Sequence, residues 1–292
     1  MTRRDALLLL LLGAVWGAVY PLTSLALREL DPPSVVVART TLAALLLVPL
    51  AIHGRLLAWF RVRPARLLVA ALLQATIPLL LLTIGQQHVA AGLAGILVGT
   101  QPVWATALTV AVDRSVHPRE LLGILAGLIG VVLLFLQDLD NVGTGLWGGA
   151  LLLGAAGCYG TGTVYIQHRL ADVPPLATAT AAMAISAVAL APLVITAAAP
   201  RLDAVTIGWL LALGIGGTGA ALVLFYGLIQ RIGAVRANLA AYLAPSFAVA
   251  YDAAFLHGRI TATVLGGLVL VTVGSLLTGI PSQADHADRP ST

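Results

Sequence analysis

Val48-Pro49-Leu50-Ala51-Ile52 returns as Ala191-Pro192-Leu193-Val194-Ile195, 143 positions later. The same offset carries Gly17 onto Gly160, Pro102 onto Pro245 and Gly123 onto Gly266. An offset of 142 carries Pro32-Pro33 onto Pro174-Pro175, Thr76 onto Thr218 and Gly85 onto Gly227. A register held over so many positions is an internal repeat, and the fold follows from what one copy contains.

Each copy is a series of apolar runs. Of 292 residues, 59% are hydrophobic and only 10% are charged, with a mean hydropathy of +0.98. Soluble domains carry about 25% charge, and so few charges could not cover a water-facing surface. The runs reach the ~20 residues needed to cross a hydrocarbon core of roughly 30 Å. Spans are expected at 5–27, 33–52, 67–86, 91–113, 120–136, 146–167, 174–198, 205–230, 235–256 and 263–280. This predicts an all-α integral membrane protein of ten transmembrane helices. Residues 1–140 would form a first five-helix repeat, 141–281 a second, and 282–292 a cytoplasmic tail. Five spans per copy is an odd number, so the second copy must enter from the opposite side. The expected architecture is two inverted five-helix repeats around a central cavity, as in many secondary transporters.

Charge placement orients the chain. All sixteen basic residues are Arg. With the N-terminus inside, twelve fall on the inner side, and only Arg28, Arg201 and Arg259 on the outer; Arg39 lies within a helix. The positive-inside bias puts both termini in the cytoplasm. Arg3 and Arg4 before Ala6–Val15 resemble the start of a secretory signal, but the apolar run continues to Leu27 and is read as a retained first helix.

A pI near 9.7 does not signal nucleic-acid binding, because the Arg residues sit in short loops and form no basic stripe with interleaved aromatics. One cysteine, Cys158, gives neither a disulfide nor a metal pair. No metal and no cofactor is expected. The partners are a small-molecule substrate and the bilayer, with the chain a monomer or weak dimer.

Binding chemistry is expected at mid-depth between the halves, on helices broken at matching places. Pro102 in the fourth span and Pro245 in the ninth each remove a backbone donor, freeing the carbonyls of Val98 and Ala241. Such a carbonyl needs a partner or a water-filled cavity, so both prolines are read as helix breaks beside the site. Thr100 and Gln101 lie near one break, Asn238, Tyr242 and Ser246 near the other. In the third span Gln74, Thr76 and Pro78 fall at mid-depth, and the Gln74 amide should face the interior. Trp59, Trp147 and Trp209 fall at span ends, where an interfacial belt accounts for them. Trp16 and Trp104 fall near span centres. Trp16 and Tyr20 lie four apart on one face, with Tyr159 at the repeat position of Trp16, and are read as an amphipathic wall for a substrate with an apolar body.

Intramembrane charge is scarce. Arg39 can snorkel, bond freed carbonyls or attract a carboxylate, and its repeat counterpart is Ala181 or Ala182. Asp252 is the one carboxylate clearly within a span, toward its outer end. Arg39, Asp252 and His88, the last in a short outer connection, are the candidates for gating or coupling. With no carboxylate at the midplane, a carboxylate-relay proton antiport is disfavoured. Asp138-Leu139-Asp140 lacks the further carboxylates a membrane-embedded transferase would need for metal, and reads as a solvated linker.

Taken in order, these residues resemble the drug/metabolite transporter superfamily, specifically its EamA-type ten-helix members. The likeness covers Ala6–Ile280 and rests on Trp16-Gly17, Ala38-Arg39 and Val98-Gly99-Thr100-Gln101-Pro102-Val103-Trp104. Leu122-Gly123 with Gly130, and Phe255-Leu256 followed by Ile260-Thr261 and Gly266, add to it. The family pattern usually has Glu where Gly258 stands and another near Asp113-Arg114; this chain has neither. The resemblance implies a cavity lined by helices one to four and six to nine, with five and ten peripheral, and alternating access. Bacterial members commonly export amino acids and related metabolites. The expectation is a non-enzymatic exporter of amino acids with apolar or aromatic side chains. A drug or cation, sugar or other metabolite transporter of the same fold stands as the alternative, and a membrane-embedded transferase as a remote one.

Overall fold

The computed structural model describes residues 2–113, 118–136, 144–195, 203–232 and 234–279. Among them there is no strand. Ten apolar spans are numbered α1 to α10. They are α1 (Arg3–Ala26), α2 (Pro32–His53), α3 (Pro64–Gly85), α4 (Ala91–Val98 and Gln101–Asp113), α5 (Pro118–Leu136), α6 (Thr144–Arg169), α7 (Pro175–Ile195), α8 (Ala204–Ile232), α9 (Ala234–Ala237 and Leu239–Phe255) and α10 (Ala262–Gly279). A short helix, Ala58–Val62, lies between α2 and α3. Span ends differ from the sequence expectation by about three residues at most, as fraying ends allow. The linker aspartates Asp138 and Asp140, Arg114, Arg201 and the tail from Pro281 lie outside the described residues.

The caps follow local chemistry. At the start of α1, the Thr2 hydroxyl accepts from the Asp5 amide at 3.2 Å, and the Asp5 carboxylate accepts from the Thr2 amide at 3.1 Å. That reciprocal box satisfies two of the donors a helix start leaves open. Asp203 caps α8 by accepting from the Thr206 amide at 2.7 Å. This bond holds its carboxyl below the usual carboxylate range. Prolines open α2, α3, α5 and α7, where a missing N–H costs nothing.

The repeat is visible in the packing, atom for atom. A Cβ on Gly17 of α1 would fall on the Cβ of Phe247, 2.8 Å from the Ala244 carbonyl oxygen and 3.0 Å from the Ala248 amide, all on α9. A Cβ on Gly160 of α6 would fall 2.9 Å from the Cβ of Trp104, 2.9 Å from the Gln101 carbonyl oxygen and 2.8 Å from the Ala105 amide, all on α4. Every residue of the second contact is matched, 143 positions away, in the first. So α1 lies on α9 as α6 lies on α4. Glycine is required at both crossings because the backbones meet with no room for a side chain.

The other contacts obey the same pseudo-symmetry. α2 packs on α8 and α7 on α3, while α2 meets α7, α4 meets α9 and α5 meets α10. α5 and α10 pack chiefly on each other, and their outer faces, including Leu122, Leu125, Val132, Leu265 and Val269, are uncovered by protein. With no water to displace, such helices are held by close packing and internal hydrogen bonds. The two halves therefore enclose a centre lined by α1–α4 and α6–α9.

Both α3 and α8 are interrupted by π-helical turns, Leu72–Thr76 and Ala212–Ala220. The Thr76 hydroxyl donates to the Ala71 carbonyl at 3.3 Å, and the Thr218 hydroxyl to the Leu213 carbonyl at 2.9 Å. These bonds stand 142 positions apart. Thr76 also pairs with Ser186 of α7 at 2.8 Å, whereas Thr218 accepts from Arg39 Nε of α2 at 2.7 Å. One local device, used twice, thus holds an alcohol in one half and a guanidinium in the other. Turns of this type gather at functional sites.

Candidate functional site

Three spans supply a polar strip near the middle of the bundle. Gln74 follows the start of the π turn of α3, and its Nε2 donates to the Tyr159 carbonyl and to the Thr163 hydroxyl, both at 3.1 Å. Gln101 Nε2 on α4 donates to the same hydroxyl at 3.3 Å. Thr163 in turn donates to the Tyr159 carbonyl at 2.8 Å. Thr163 is exposed, and Gln74 and Gln101 are only partly covered. Gly162 makes the approach possible, since its Cβ would fall 2.9 Å from the Gln74 amide nitrogen. These groups are satisfied among themselves yet remain open on one side, as a surface that binds a polar ligand must be.

One aromatic ring adjoins the strip, and others lie elsewhere among the spans. Trp104 is 41% exposed, with its ring beside Gly157 of α6. Trp16 and Tyr20 do not share one wall: Trp16 packs on Phe225 of α8, centroids 5.2 Å apart, with Tyr226 beside Phe225 at 5.5 Å. Tyr20 is buried against Gly95 of α4 and belongs to the cluster that contains Tyr159. One helical turn separates the two residues, enough to direct them toward different neighbours in a ten-helix bundle.

The prolines behave unequally. α4 is broken at Gly99–Thr100, directly before Pro102. The Thr100 hydroxyl donates to the Leu97 carbonyl at 2.6 Å, and Ser275 of α10 donates to the Gly99 carbonyl at 2.9 Å. The helix around Pro245 runs unbroken from Leu239 to Phe255, a correction to the expected matched break. One proline removes a single donor, and a helix continues where packing holds it. The Pro245 ring sits against Gly99, whose Cβ would lie 2.7 Å from Pro245 Cγ, so the two proline segments face each other across the crossing of α4 and α9. The interruption in α9 falls instead at Asn238, which is exposed, one turn from the half-buried Tyr242. Pro78 is buried in the first turn after the π segment of α3.

Arg39 is buried, at 8% exposure. Besides its hydrogen bond to Thr218, the titratable side chains within range of it are Tyr20 and Tyr159. His88 is exposed in the connection after α3. Asp252 lies at the far end of α9, its carboxylate beside Gly92 in the first turn of α4, where a Cβ would lie 3.0 Å from Oδ2. The N-cap of that turn, Ala90, has no side-chain acceptor, and the Asp252 carboxylate of another helix stands beside its open amides. The Asp252 carboxylate also fills the space into which any side chain at Gly258 would grow. A Glu at that position would displace it, which accounts for the Gly at 258. A cavity of about 230 Å³, lined by Leu93, Leu134, Val249, Asp252 and Val264, opens here, at the margin of the bundle.

Sequence reasoning missed Thr163, Phe225 and Gln86. The 143-residue offset carries Tyr20 onto Thr163, so the repeat held the signal for it. Gln86 is buried and donates to the Tyr20 carbonyl at 3.0 Å and the Ser24 hydroxyl at 3.2 Å; near a span end, nothing in its neighbourhood marked it. Metal-binding groups of three or more His, Cys, Asp or Glu are absent among the described residues.

Two ion pairs fasten the halves on the face where α1 begins. Arg63 meets Asp172 at 3.0 Å, and Arg231 meets Asp5 at 2.9 Å. Arg66 also donates to the Arg169 carbonyl at the end of α6, at 3.1 Å.

Comparison with known proteins agrees with this architecture. The sequence pattern of the EamA-like transporter family matches twice, at residues 4–136 and 146–280. "Uncharacterized transporter YvbV" of Bacillus subtilis (strain 168) is 26% identical over 308 aligned positions, covering 97% of this chain and 94% of its own length. "Uncharacterized transporter YoaV" of the same organism is 25% identical over 199, covering 66% of this chain and 68% of its own. A solved crystal structure superposes with a TM-score of 0.63 at 16% identity, over 94% of this chain and 96% of that one, a likeness of fold. The chain is a multi-pass membrane transporter, and with both repeats matched it belongs to the EamA-like transporter family.

Proposed function

We propose that the protein exports amino acids with apolar or aromatic side chains across a bacterial inner membrane, by alternating access and with both termini in the cytoplasm. The observation that carries this reading is the strip formed by Gln74, Gln101 and Thr163, which leaves amide and hydroxyl groups open between the halves. Amide and hydroxyl groups offer both donors and acceptors to the polar end of a zwitterion. The exposed ring of Trp104, on the span that carries Gln101, suits an apolar side chain, and the Trp16–Phe225 pair adds aromatic surface between α1 and α8. Inverted halves that meet at the site can rock about it and expose it to each side in turn.

The test is uptake of a radiolabelled amino-acid panel into liposomes containing the purified protein, with Gln74→Ala, Gln101→Ala and Trp16→Ala compared. The expected result is uptake of leucine- or phenylalanine-like substrates by the wild type, reduced in all three variants. Uptake of none of the panel would overturn the substrate class, and full activity in all three variants would overturn the site. Repeating the assay with an imposed pH gradient decides whether protons are coupled.

A further inference from the structure

Arg39 presents an electrostatic imbalance. It is buried on α2, in the apolar part of the bundle, and only its Nε has a protein partner, Thr218 at 2.7 Å. Its Nη1 is buried with no partner. The ion pairs among the described residues use Arg63 and Arg231 instead. No described carboxylate pairs with the Arg39 guanidinium; the titratable side chains within range of it are Tyr20 on α1 and Tyr159 on α6. A guanidinium stays charged at any relevant pH, and a charge at this depth is expensive unless an anion joins it.

We infer that Arg39, with the hydroxyls of Tyr20 and Tyr159, is the seat for the carboxylate of the transported molecule, an inference that rests on the amino-acid reading above. The guanidinium is a planar fork that pairs with two carboxylate oxygens, and one arm of the fork is unused here. Thr218 fixes the other side of the plane and so aims that arm. The four contributing spans come two from each half, Tyr20 and Arg39 from the first, Tyr159 and Thr218 from the second. A ligand seated here touches both halves and senses their relative motion. The repeat position of Arg39 is Ala181 or Ala182, both buried, so there is one such seat and the ligand has one orientation. Tyr159 links the seat to the polar strip, because its carbonyl accepts from Gln74 and Thr163. A carboxylate at Arg39 leaves the rest of the molecule to extend toward Gln74 and Gln101.

The substrate class is thereby narrowed to solutes with a carboxylate, and cations lacking one are excluded. The experiment uses the full-length protein in liposomes and in detergent, with three probes: phenylalanine, 3-phenylpropionate (no amine) and phenylalaninamide (no carboxylate). In detergent, 3-phenylpropionate should raise the thermal midpoint of the wild type and phenylalaninamide should not. Arg39→Met should abolish that shift, and Arg39→Lys should restore part of it. Tyr159→Phe, which keeps the ring and backbone carbonyl, should weaken the shift and remains readable if Arg39→Met fails to fold. In liposomes, 3-phenylpropionate should compete with labelled phenylalanine. Loss of a charged hydrogen bond predicts an apparent KM higher by about 10- to 100-fold in Arg39→Lys. If phenylalanine moves but phenylalaninamide competes equally well, the seat is wrong and the amino-acid reading stands. If no amino acid moves while 3-phenylpropionate still shifts the midpoint through Arg39, the reading fails and the seat stands. A shift reproduced by chloride in place of the carboxylate would overturn the inference, because a free halide would then be the missing anion.

Discussion

The Gln74 amide on α3 donates to the Thr163 hydroxyl on α6 at 3.1 Å, joining a residue of one repeat to a residue of the other. Gln101 shares that hydroxyl, so the three act as one unit. Gln74→Leu and Thr163→Val should each cost about 0.5–1.5 kcal/mol of stability. The double variant should lose less than the sum, because residues in one network couple. A double-mutant cycle on unfolding in detergent checks this, and strictly additive losses would dissolve the unit.

The two glycine crossings differ from other glycines in what surrounds them. Gly160→Leu must push α6 from α4, since even a Cβ falls 2.9 Å from the Gln101 carbonyl oxygen. Overpacking of this kind costs about 1–3 kcal/mol. A Cβ on Gly216 meets nothing within 4 Å, so Gly216→Ala should stay within about 1 kcal/mol of the wild type. Thermal midpoints of the two variants in one detergent give the comparison, and equal losses would count against the interdigitated crossing.

Asp172 titrates with a definite sign. The hydrogen bond from Arg63 holds its carboxyl below the usual carboxylate range. A carboxyl lowered in the folded state adds stability above its unfolded pKa and loses that contribution as pH falls through the folded one. The pair is partly exposed, so salt should weaken it as well. Arg63→Gln should therefore be less stable than the wild type at pH 6, and the gap should close as pH falls below about 4. Midpoints measured across that range decide the matter, and a gap that persists at the lowest pH would place the loss in packing.

Asp252 is assigned a cap, and the assignment can be separated from proton coupling. Asp252→Asn keeps an acceptor beside the Gly92 amide and should retain both stability and the wild type's behaviour under a pH gradient. Asp252→Ala should lose about 1 kcal/mol, the usual worth of a cap. Liposome uptake under a pH gradient is the check; an Asn variant that folds but no longer responds to the gradient would make Asp252 a coupling residue.

The fold was legible because its two signals are coarse and redundant. Span length is set by bilayer thickness, and the proline and glycine register survives along both halves, so the repeat could be read from positions such as Gly17, Gly160, Pro102 and Pro245, and the odd span count per copy gives the inversion. The polar contacts of the candidate site were legible where chemistry conflicts with the solvent, as with Gln74, Gln101 and Arg39, whose polarity in an apolar run demands a partner. Thr163 was less so, because a hydroxyl can satisfy itself on its own helix. Pro245 misled because a proline states which donor is missing and says nothing of whether neighbours hold the helix straight. The parting of Trp16 from Tyr20 depends on which neighbours α1 meets, and no spacing within α1 encodes that. The π turns at Thr76 and Thr218 left only a matched pair of threonines as their trace.

Counterflow tests the central claim, a substrate site shared by the two halves, most directly. Liposomes loaded with unlabelled phenylalanine and diluted into labelled phenylalanine should accumulate label transiently through the wild type. A Gln74→Ala/Gln101→Ala double variant, with unchanged protein content and thermal midpoint within a few degrees, should show little or none. Counterflow through that double variant at the wild-type rate would contradict the account.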